Sequence, residues 1–352
     1  MPSPTVAVLV RTKDRPRFLR RALANIAEQT FTDYTVCVIN DGGDESATRA
    51  ILQASPLAHL LEGDAPRLTL LTTGGGNMEA ASNAGLAATD SEFVAIHDDD
   101  DLWDPEFLER TVGALRASEA LICSTRVVER YEHETPEGEF EVYEERIFHD
   151  GLPGFGLQFL YRTNRVVPIG ILYRRRLHEL VGFYDESLPV VGDWEFNLRA
   201  AAVTEVLLVD DPLAYWSLRP EADGAEANSV QRQAEHARFD ASVRARAIRD
   251  DLQSGGRPGP YLYQAHLMAD LERRVIDGHD LTRESLDLLR SLGERLERIE
   301  ARQAAMDARQ RELEARFAAD RSRRRGALRT LSSAARSLAR RMRSAKPHGK
   351  GR

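Results

Sequence analysis

Four short, almost wholly apolar runs dominate the first hundred residues and constrain the fold more than any other feature. They are Val6–Val10, Thr35–Ile39, Leu68–Leu71 and Phe93–Ile96. Apolar runs of this length without polar alternation are typical of strands that are buried on both faces. The stretches between them, such as Met78–Ala88, are helix-prone. This order predicts an α/β fold with a mostly parallel sheet covered by helices.

Polar side chains follow these predicted strands at the point where each strand ends. Arg11 and Thr12 follow the first strand, Asp41 follows the second, and Asp98–Asp101 follow the fourth. In open α/β sheets, ligands bind at the carboxyl ends of the strands. The sequence therefore predicts a ligand site along this edge of the sheet.

The run Asp98–Asp101 is the strongest chemical signal in the chain. Neighbouring carboxylates repel each other unless solvent or a cation offsets their charge. A helix start would also favour acidic residues, but Asp104 followed by Pro105 already suits a helix cap. Oxygen ligands are those preferred by Mg²⁺ and Mn²⁺. Alternation along an extended backbone points Asp98 and Asp100 the same way, which predicts a metal and diphosphate site.

Three blocks of sequence carry a resemblance to a known family. In order, they are VAVLVRTKDRPRFLRRALANIAEQTFTDYTVCVINDGGD, GGGNMEAASNAGLAATDSEFVAIHDDDDLWDP and ILYRRRLHELVGFYDESLPVVGDWEFNLRAA. Together they resemble the inverting family 2 glycosyltransferases, over roughly residues 4–217. The resemblance implies the GT-A fold, a Rossmann-like mixed sheet with flanking helices. The second block resembles the family's Asp-x-Asp motif, and the third resembles its acceptor-side block.

The resemblance implies which residues bind the nucleotide of a nucleotide-sugar donor. Arg11 and Thr12 would line the nucleoside pocket, and Asp41 would accept a hydrogen bond from the base. Asn83 would lie near the diphosphate. Asp98 would meet a ribose hydroxyl or a metal-bound water.

The resemblance also implies the metal pair and the catalytic base. Asp98 and Asp100 would hold Mn²⁺ or Mg²⁺, with Asp100 as the better direct ligand. Asp193 would be the general base, although an Asp at this position could instead cap a helix. Glu195 is the alternative base, and Trp194 is either a sugar-stacking residue or part of the core.

Three positions depart from the family pattern. The family often has proline in place of Arg11, an acidic residue in place of Asn40, and a basic residue in place of Ser82. These departures leave the identity of the nucleotide open. They also place more of the diphosphate neutralisation on the metal and on other cations.

The function expected from these residues is inverting transfer of a sugar from a nucleotide-diphosphate sugar to an acceptor hydroxyl. The acceptor would be a glycan or a lipid-linked molecule in bacterial-type surface polysaccharide or glycoconjugate synthesis. One alternative is a catalytically weak scaffold on a coiled coil. Another is a sugar nucleotidyltransferase, but such enzymes usually carry a glycine-rich loop after the first strand, and Arg11–Pro16 contains no glycine.

The chain is expected to comprise a transferase domain with a helical extension. We predict a GT-A domain at 1–220, a helical extension at 221–280, a coiled coil at 281–320 and a basic amphipathic or disordered tail at 321–352. The coiled coil, which would make the protein a homo-oligomer, follows from two heptad positions: Leu289, Leu296, Gln303, Gln310 and Phe317, and Leu292, Ile299, Met306 and Leu313.

The tail differs in charge from the rest of the chain. Residues 321–352 contain 12 Lys or Arg and no Asp or Glu, which leaves 36 basic and 56 acidic residues elsewhere. A basic amphipathic helix favours an anionic membrane surface over nucleic acid as a partner, and a solvated tail is the alternative. The chain shows no apolar stretch of membrane-spanning length and no secretory signal. With Cys37 and Cys123 expected as free thiols, a cytoplasmic location is predicted, either free or at the inner face of the plasma membrane.

Overall fold

The computed structural model describes residues 4–135, 139–151, 154–222 and 232–344. Within the last helix, only the backbone is described at 277–282, 284, 312–315, 317–322, 324–325, 327–329 and 341–344. The chain divides into two compact units, Met1–Ser254 and Gly255–Arg352.

The first unit alternates strands and helices. Its strands are β1 Val6–Thr12, β2 Tyr34–Asp41, β3 Leu68–Thr73, β4 Phe93–Asp98, β5 Leu102–Trp103, β6 Ile122–Glu134, β7 Phe140–Ile147, β8 Ile171–Arg174 and β9 Val206–Leu218. Its α-helices are α1 Pro16–Ala27, α2 Glu45–Ala54, α3 Met78–Ala88, α4 Phe107–Arg116, α5 Leu157–Leu160, α6 Leu177–Val181, α7 Gly192–Val203 and α8 Gln233–Gln253.

All nine strands form one mixed sheet in the order β3-β2-β1-β4-β8-β6-β9-β5, with β7 paired to β6. The first four are parallel to one another, whereas β8 runs antiparallel to both β4 and β6. Strands β6 and β9 are parallel to each other. This mixed sheet with flanking helices confirms the α/β class and the GT-A-like fold.

Side-chain alternation along β1 and β4 assigns each residue to one face of the sheet. Val6, Val8 and Val10 belong to one core cluster, which includes apolar residues of α1, α2 and α4. Ala7 and Leu9 belong to the other, which includes residues of α3 and α7. Because side chains alternate with a period of two, Arg11 continues the α3/α7 face. The parallel register pairs Arg11 with Asp98, and this pairing fixes the position of the site.

The segment Glu137–Gly156 is rich in charged residues and glycine, a composition that predicts a mobile loop region. It contains strand β7, so this interpretation is wrong for Phe140–Ile147, which pairs antiparallel with β6. Most of the strand is exposed, so its glutamates stay in water and no buried side of the strand marks it in the sequence. Residues 137–138 and 152–153 of the segment lie outside the described residues.

Asp104, predicted to cap a helix, does not lie directly before the first residue of that helix. The Asp104 carboxylate accepts the backbone N–H of Glu106 at 3.0 Å, but α4 begins at Phe107. Asp104 therefore shapes the turn before the helix. Cys37 and Cys123 are buried and unpaired.

The second unit contains a single long helix, α9, at Pro258–Ser344. Its apolar heptad side chains are solvent-exposed in the isolated chain, for example Leu289 at 63%, Ile299 at 61% and Met306 at 67%. The side chains of Leu313 and Phe317 lie outside the described residues. The coiled coil and the four segment boundaries stay predictions. In the described residues, no helix combines the length and hydrophobicity needed to cross a membrane.

Helix α3 lies very close to the sheet at Gly85. A Cβ at this position would lie 2.9 Å from the Ile39 Cδ1 atom and 3.2 Å from the Leu9 Cδ2 atom. Gly113 in α4 offers a matched comparison, because a Cβ there would meet no atom within 4 Å.

We predict that Gly85→Ala is less stable than Gly113→Ala by about 1–3 kcal/mol, the usual cost of overpacking a core. Both substitutions gain the same helix propensity, so their difference isolates the close approach of α3 to the sheet. Urea unfolding of the two variants measures it. Equal unfolding free energies would show that α3 does not pack this closely.

Candidate active site

A cavity of about 320 Å³ opens where β1 and β4 end. Residues from several separate elements line it. They include Arg11, Met78, Glu79, Asp98, Asp101, Asn164, Val191, Asp193, Trp216 and His236. The cavity is therefore lined by two predicted nucleotide-binding residues, Arg11 and Asp98, and by the predicted base, Asp193; Asp98 is also a predicted metal ligand.

Arg11 and Asp98 form a bidentate ion pair in the cavity wall. The Arg11 Nε and Nη2 atoms each donate to a different carboxylate oxygen of Asp98, both at 2.8 Å. The Arg11 Nη1 atom donates to the Ser82 Oγ at 3.1 Å and to the Met78 carbonyl at 3.2 Å. Burial lowers the pKa of Arg11, but the charges of Asp98 and Glu79 outweigh it and raise the pKa above its usual value. Arg11 is therefore a fixed cation, placed beside the serine where the family often has a basic residue.

The aspartate run divides between two environments. Asp98 and Asp101 line the cavity. The Asp99 carboxylate accepts from the Thr12 hydroxyl at 2.7 Å and pairs with Arg15. Burial raises the pKa of Asp99 to about 7 and raises that of Asp101 well above its usual value.

Asp100, predicted as the better metal ligand, is engaged by two arginines. Its Oδ2 atom lies 2.8 Å from Arg15 and also bonds Arg219. Arg219, only 3% exposed, bridges onward to Glu132 at 2.7 Å. Burial raises the pKa of Asp100, but the two arginines outweigh it and hold the pKa below its usual value. Asp100 is not among the described residues that line the cavity.

Asp98 and Asp100 are the carboxylates that the sequence predicts as ligands of a divalent ion. Within the described part of the chain, no three His, Cys, Asp or Glu side chains cluster as a preformed metal cage. Mg²⁺, however, is usually held by one or two carboxylates together with the phosphates of the substrate. Asp98 faces the cavity, and Asp100 lies two residues further along the same turn. Asp98 is paired with Arg11, and Asp100 is paired with Arg15 and Arg219, so metal binding by these two residues stays a prediction.

Asp193 enters the cavity from the start of α7. The preceding Val191 has a left-handed backbone, with φ at +60°, which is strained for a β-branched residue. The Asp193 Oδ2 atom accepts from the Asn164 amide at 2.8 Å. Burial raises the pKa of Asp193, although the Asn164 amide and the backbone N–H of Trp194 oppose this. The result is an oriented carboxylate whose basicity is increased.

Trp194 and Glu195, the next two residues of α7, bond to other parts of the protein. Glu195 forms a two-pronged pair with Arg199, with N···O distances of 2.9 and 2.7 Å. Trp194 is 1% exposed, and its Nε1 atom donates to the Leu160 carbonyl at 2.8 Å. Glu195 is therefore poorly placed as an alternative base, and Trp194 belongs to the core.

Asp41 and Asn83 lie apart from the described lining of the cavity. The Asp41 carboxylate accepts from the Thr73 hydroxyl at 2.7 Å and from the Gly76 N–H at 2.9 Å. The Asn83 amide donates to the Tyr184 carbonyl at 2.9 Å and to Glu186 at 2.8 Å. Asp41 thus organises the neighbouring strand end, and Asn83 fixes the loop that leads to α7.

Glu79 is a cavity residue that the sequence analysis missed. It lies in the first turn of α3, is 3% exposed and lines the cavity together with Arg11 and Asp193. Burial raises its pKa to about 7, and the charge of Asp193 adds to the effect while Arg11 opposes it. Acidic residues are common in the first turn of a helix. The sequence therefore contains no feature that distinguishes Glu79 from other acidic residues at helix starts.

Helix α8 completes the wall around Asp193. His236 lines the cavity, and Val243 packs in a small cluster with Leu188 and Trp194. The Arg244 guanidinium lies over the Trp194 ring at 4.8 Å. Helix α8 therefore belongs with the site, beyond the predicted domain boundary at residue 220.

Comparison with known proteins gives a consistent family. Residues 7–179 match the profile of Glycosyl transferase family 2. The uncharacterized glycosyltransferase YwdF of Bacillus subtilis is 25% identical over 201 residues, which cover 56% of this chain and 68% of that protein. The succinoglycan biosynthesis protein ExoW of Rhizobium meliloti is 38% identical over 95 residues, which cover 26% of this chain and 28% of that protein.

Among solved structures, S. aureus TarS 1-349 in complex with UDP-GlcNAc is similar to this chain, with a TM-score of 0.47 and 16% identity. The match covers 64% of this chain and 61% of that one. The chain thus spans about two thirds of YwdF and smaller parts of other relatives.

The raised pKa of Glu79 has a consequence for stability. A carboxyl whose pKa is higher in the folded than in the unfolded state binds more protons when folded, so the free energy of unfolding falls as pH rises between the two values. For Glu79 this window extends from its ordinary pKa of 4.5 to about 7. We therefore predict that Glu79→Gln loses less stability than wild type between pH 5 and pH 8.

Urea unfolding at several pH values measures this difference, and the exposed Glu119→Gln serves as the control. The opposite result, a variant with the same pH dependence as wild type, would mean that Glu79 titrates normally.

Proposed function

Because the chain belongs to glycosyltransferase family 2, we propose that it transfers a sugar, with inversion, from a nucleoside diphosphate sugar to an acceptor hydroxyl. One observation carries the proposal: Arg11, Asp98 and Asp193 come from β1, β4 and α7 and line the same cavity. A fixed cation and a carboxylate of increased basicity are the two groups that such a displacement requires.

The base acts at the acceptor side of the cavity. Asp193 removes the proton of the acceptor hydroxyl as that oxygen forms a bond to the anomeric carbon. The bond from this carbon to the diphosphate oxygen breaks in the same step, so the configuration inverts. A raised pKa brings the carboxylate closer to the operating pH, which favours general base catalysis, and the Asn164 amide holds its orientation.

The donor side is formed by the strand ends. Arg11 offers a buried cation to the diphosphate, and Asp98 lies beside it as the contact for a ribose hydroxyl or a metal ion. The nucleoside extends toward Thr12 and Asp41, because β2 lies next to β1 at the same edge of the sheet. Asn83 acts indirectly, since its amide fixes the loop before Asp193.

The proposed cofactor is Mn²⁺ or Mg²⁺, held by Asp98 and Asp100 together with the donor's diphosphate. When bound, such an ion neutralises charge on the departing nucleoside diphosphate. Asp100 would exchange at least one of its contacts with Arg15 and Arg219 for the ion, and the arginine released from Asp100 would then face the phosphates.

The proposed acceptor is a glycan or a lipid-linked molecule in surface polysaccharide synthesis. ExoW is described as a succinoglycan biosynthesis protein, which supports a polysaccharide product. The heptad positions of α9 would join copies of the chain through 281–320. The basic segment 321–352 would hold the enzyme at the inner face of the plasma membrane.

Asp193→Asn tests the base. We predict that kcat falls by about 10²- to 10⁴-fold, the usual contribution of a general base, while KM for the donor changes little. Nucleotide release from UDP-, GDP- and dTDP-sugars with Mn²⁺ measures the rate. Glu195→Gln, two residues along the same helix, is the control and keeps most of the activity.

Comparable losses in both variants, or an unchanged rate in Asp193→Asn, would contradict the assignment of the base. Release of pyrophosphate from a nucleoside triphosphate and a sugar 1-phosphate, with no nucleoside diphosphate released from any nucleotide-sugar, would indicate a nucleotidyltransferase. No turnover with any donor would favour a scaffold.

The metal proposal is tested by thermal unfolding in the presence of UDP, GDP or dTDP. Mn²⁺ at a concentration of about 100 times its Kd adds about 2.7 kcal/mol to the free energy of unfolding. We therefore predict a rise in Tm on the order of 5 °C. Asp100→Asn should lose this rise, whereas Asp64→Asn at an exposed loop should keep it. A rise of equal size in both variants would exclude Asp100 as a ligand.

Removal of the C-terminal segment tests the membrane proposal. We predict that the full chain sediments with vesicles containing phosphatidylserine, because each Lys or Arg near such a surface contributes about 1 kcal/mol. A chain that ends at residue 280 should stay in the supernatant and elute as a monomer. Sedimentation of the shortened chain with the same vesicles would show that the tail is not the membrane contact.

A further inference from the structure

Glu79 lines the cavity but has no part in the reaction proposed above. Its side chain is 97% buried, since only 3% of the residue is exposed. Its Oε2 atom has no hydrogen-bond partner in the described structure. A buried polar atom without a partner is unfavourable, so the position calls for a partner that a ligand can supply.

The position of Glu79 is defined by its contacts on two sides. It lies against the backbone of Gly192, where a Cβ would be 2.2 Å from the Glu79 Oε1 atom and 2.4 Å from its Cγ atom. Gly192 directly precedes the base Asp193. The charge of Glu79 also acts on Arg11. Glu79 therefore lines the cavity together with both the cation and the base.

The order of these groups identifies what Glu79 faces. In the proposed reaction, Arg11 contacts the diphosphate and Asp193 contacts the acceptor hydroxyl. The transferred sugar must lie between the diphosphate and the acceptor hydroxyl. Its anomeric carbon is bonded to the diphosphate and is attacked from the opposite side by the hydroxyl. A carboxyl in the wall at this point is within the layer that the sugar ring occupies.

We infer that Glu79 is a specificity-determining residue whose free oxygen hydrogen-bonds a hydroxyl of the transferred sugar. The inference rests on the proposed function and deepens it, since it assigns the donor sugar a hydroxyl on the side that faces the start of α3. Several ionisable groups surround Glu79: Arg11 on β1, Asp98 on β4, Asp193 on α7 and Tyr184 in the loop before α7. Arg11 attracts the Glu79 carboxylate, whereas Asp98 and Asp193 favour its protonated form.

Binding measurements on matched ligands test the inference. Isothermal titration gives Kd for UDP, GDP and dTDP and for their hexose derivatives, with Mn²⁺ present. The proteins are the full-length wild type, Glu79→Leu, Glu79→Gln and the control Glu119→Leu, which removes the same charge at an exposed site. Thermal unfolding of each variant shows whether it is folded.

For the best nucleotide pair, we expect Glu79→Leu to weaken binding of the nucleotide-sugar about tenfold, the loss of one buried hydrogen bond. Binding of the nucleoside diphosphate alone should be unchanged, and Glu79→Gln should remain within about threefold of wild type for both ligands. Glu119→Leu should match wild type. Leucine replaces a buried carboxyl without a partner, so the variant should also retain its Tm.

Other outcomes overturn the inference in distinguishable ways. Equal weakening of both ligands would make Glu79 a support for Arg11, and no weakening would leave it without a ligand role. If Glu79→Leu and a second variant, Glu79→Ala, both fail to fold, Glu79 is structural. In each of these cases the proposed transferase function still stands if wild type binds and turns over a donor. If wild type binds no nucleotide and no nucleotide-sugar, both proposals fail.

Discussion

The ion pair between Arg11 and Asp98 is the interaction on which the site depends. Parallel pairing of β1 with β4 puts the two residues side by side, and side-chain alternation turns both toward α3 and α7. Removing one partner of such a buried pair typically costs about 3–5 kcal/mol. The pair therefore fixes the register of the strand ends and also supplies the cation and carboxylate that face the cavity.

Charge balance explains how three of four consecutive aspartates can be buried at one strand end, beside the partly buried Asp98. Arg11 offsets Asp98, while Arg15 and Arg219 offset Asp100. Asp99 and Asp101 instead have raised pKa values. These arginines are the cations that a diphosphate or a metal ion would compete with or join. The same cluster can thus be stable without a ligand and still respond when one binds.

Local pattern was enough to predict the four parallel strands, because β1, β2 and β4 are buried on both faces and all four strands contain apolar runs. The strand ends and the family resemblance together pointed to Arg11, Asp98 and Asp193, and these three side chains line one cavity. Local pattern failed for β7, whose exposed side chains leave no buried side to recognise. It missed Glu79, because only tertiary packing against Gly192 distinguishes this glutamate from any other in the first turn of a helix.

The central claim is that one cavity holds both the donor diphosphate and the base. A crystal structure of the protein with a bound nucleoside diphosphate sugar tests it most directly. The account predicts that the diphosphate lies beside Arg11 and Asp98. It also predicts that the space between the anomeric carbon and the Asp193 carboxylate accommodates one acceptor hydroxyl. A nucleotide bound elsewhere, or a sugar that points away from Asp193, would contradict it.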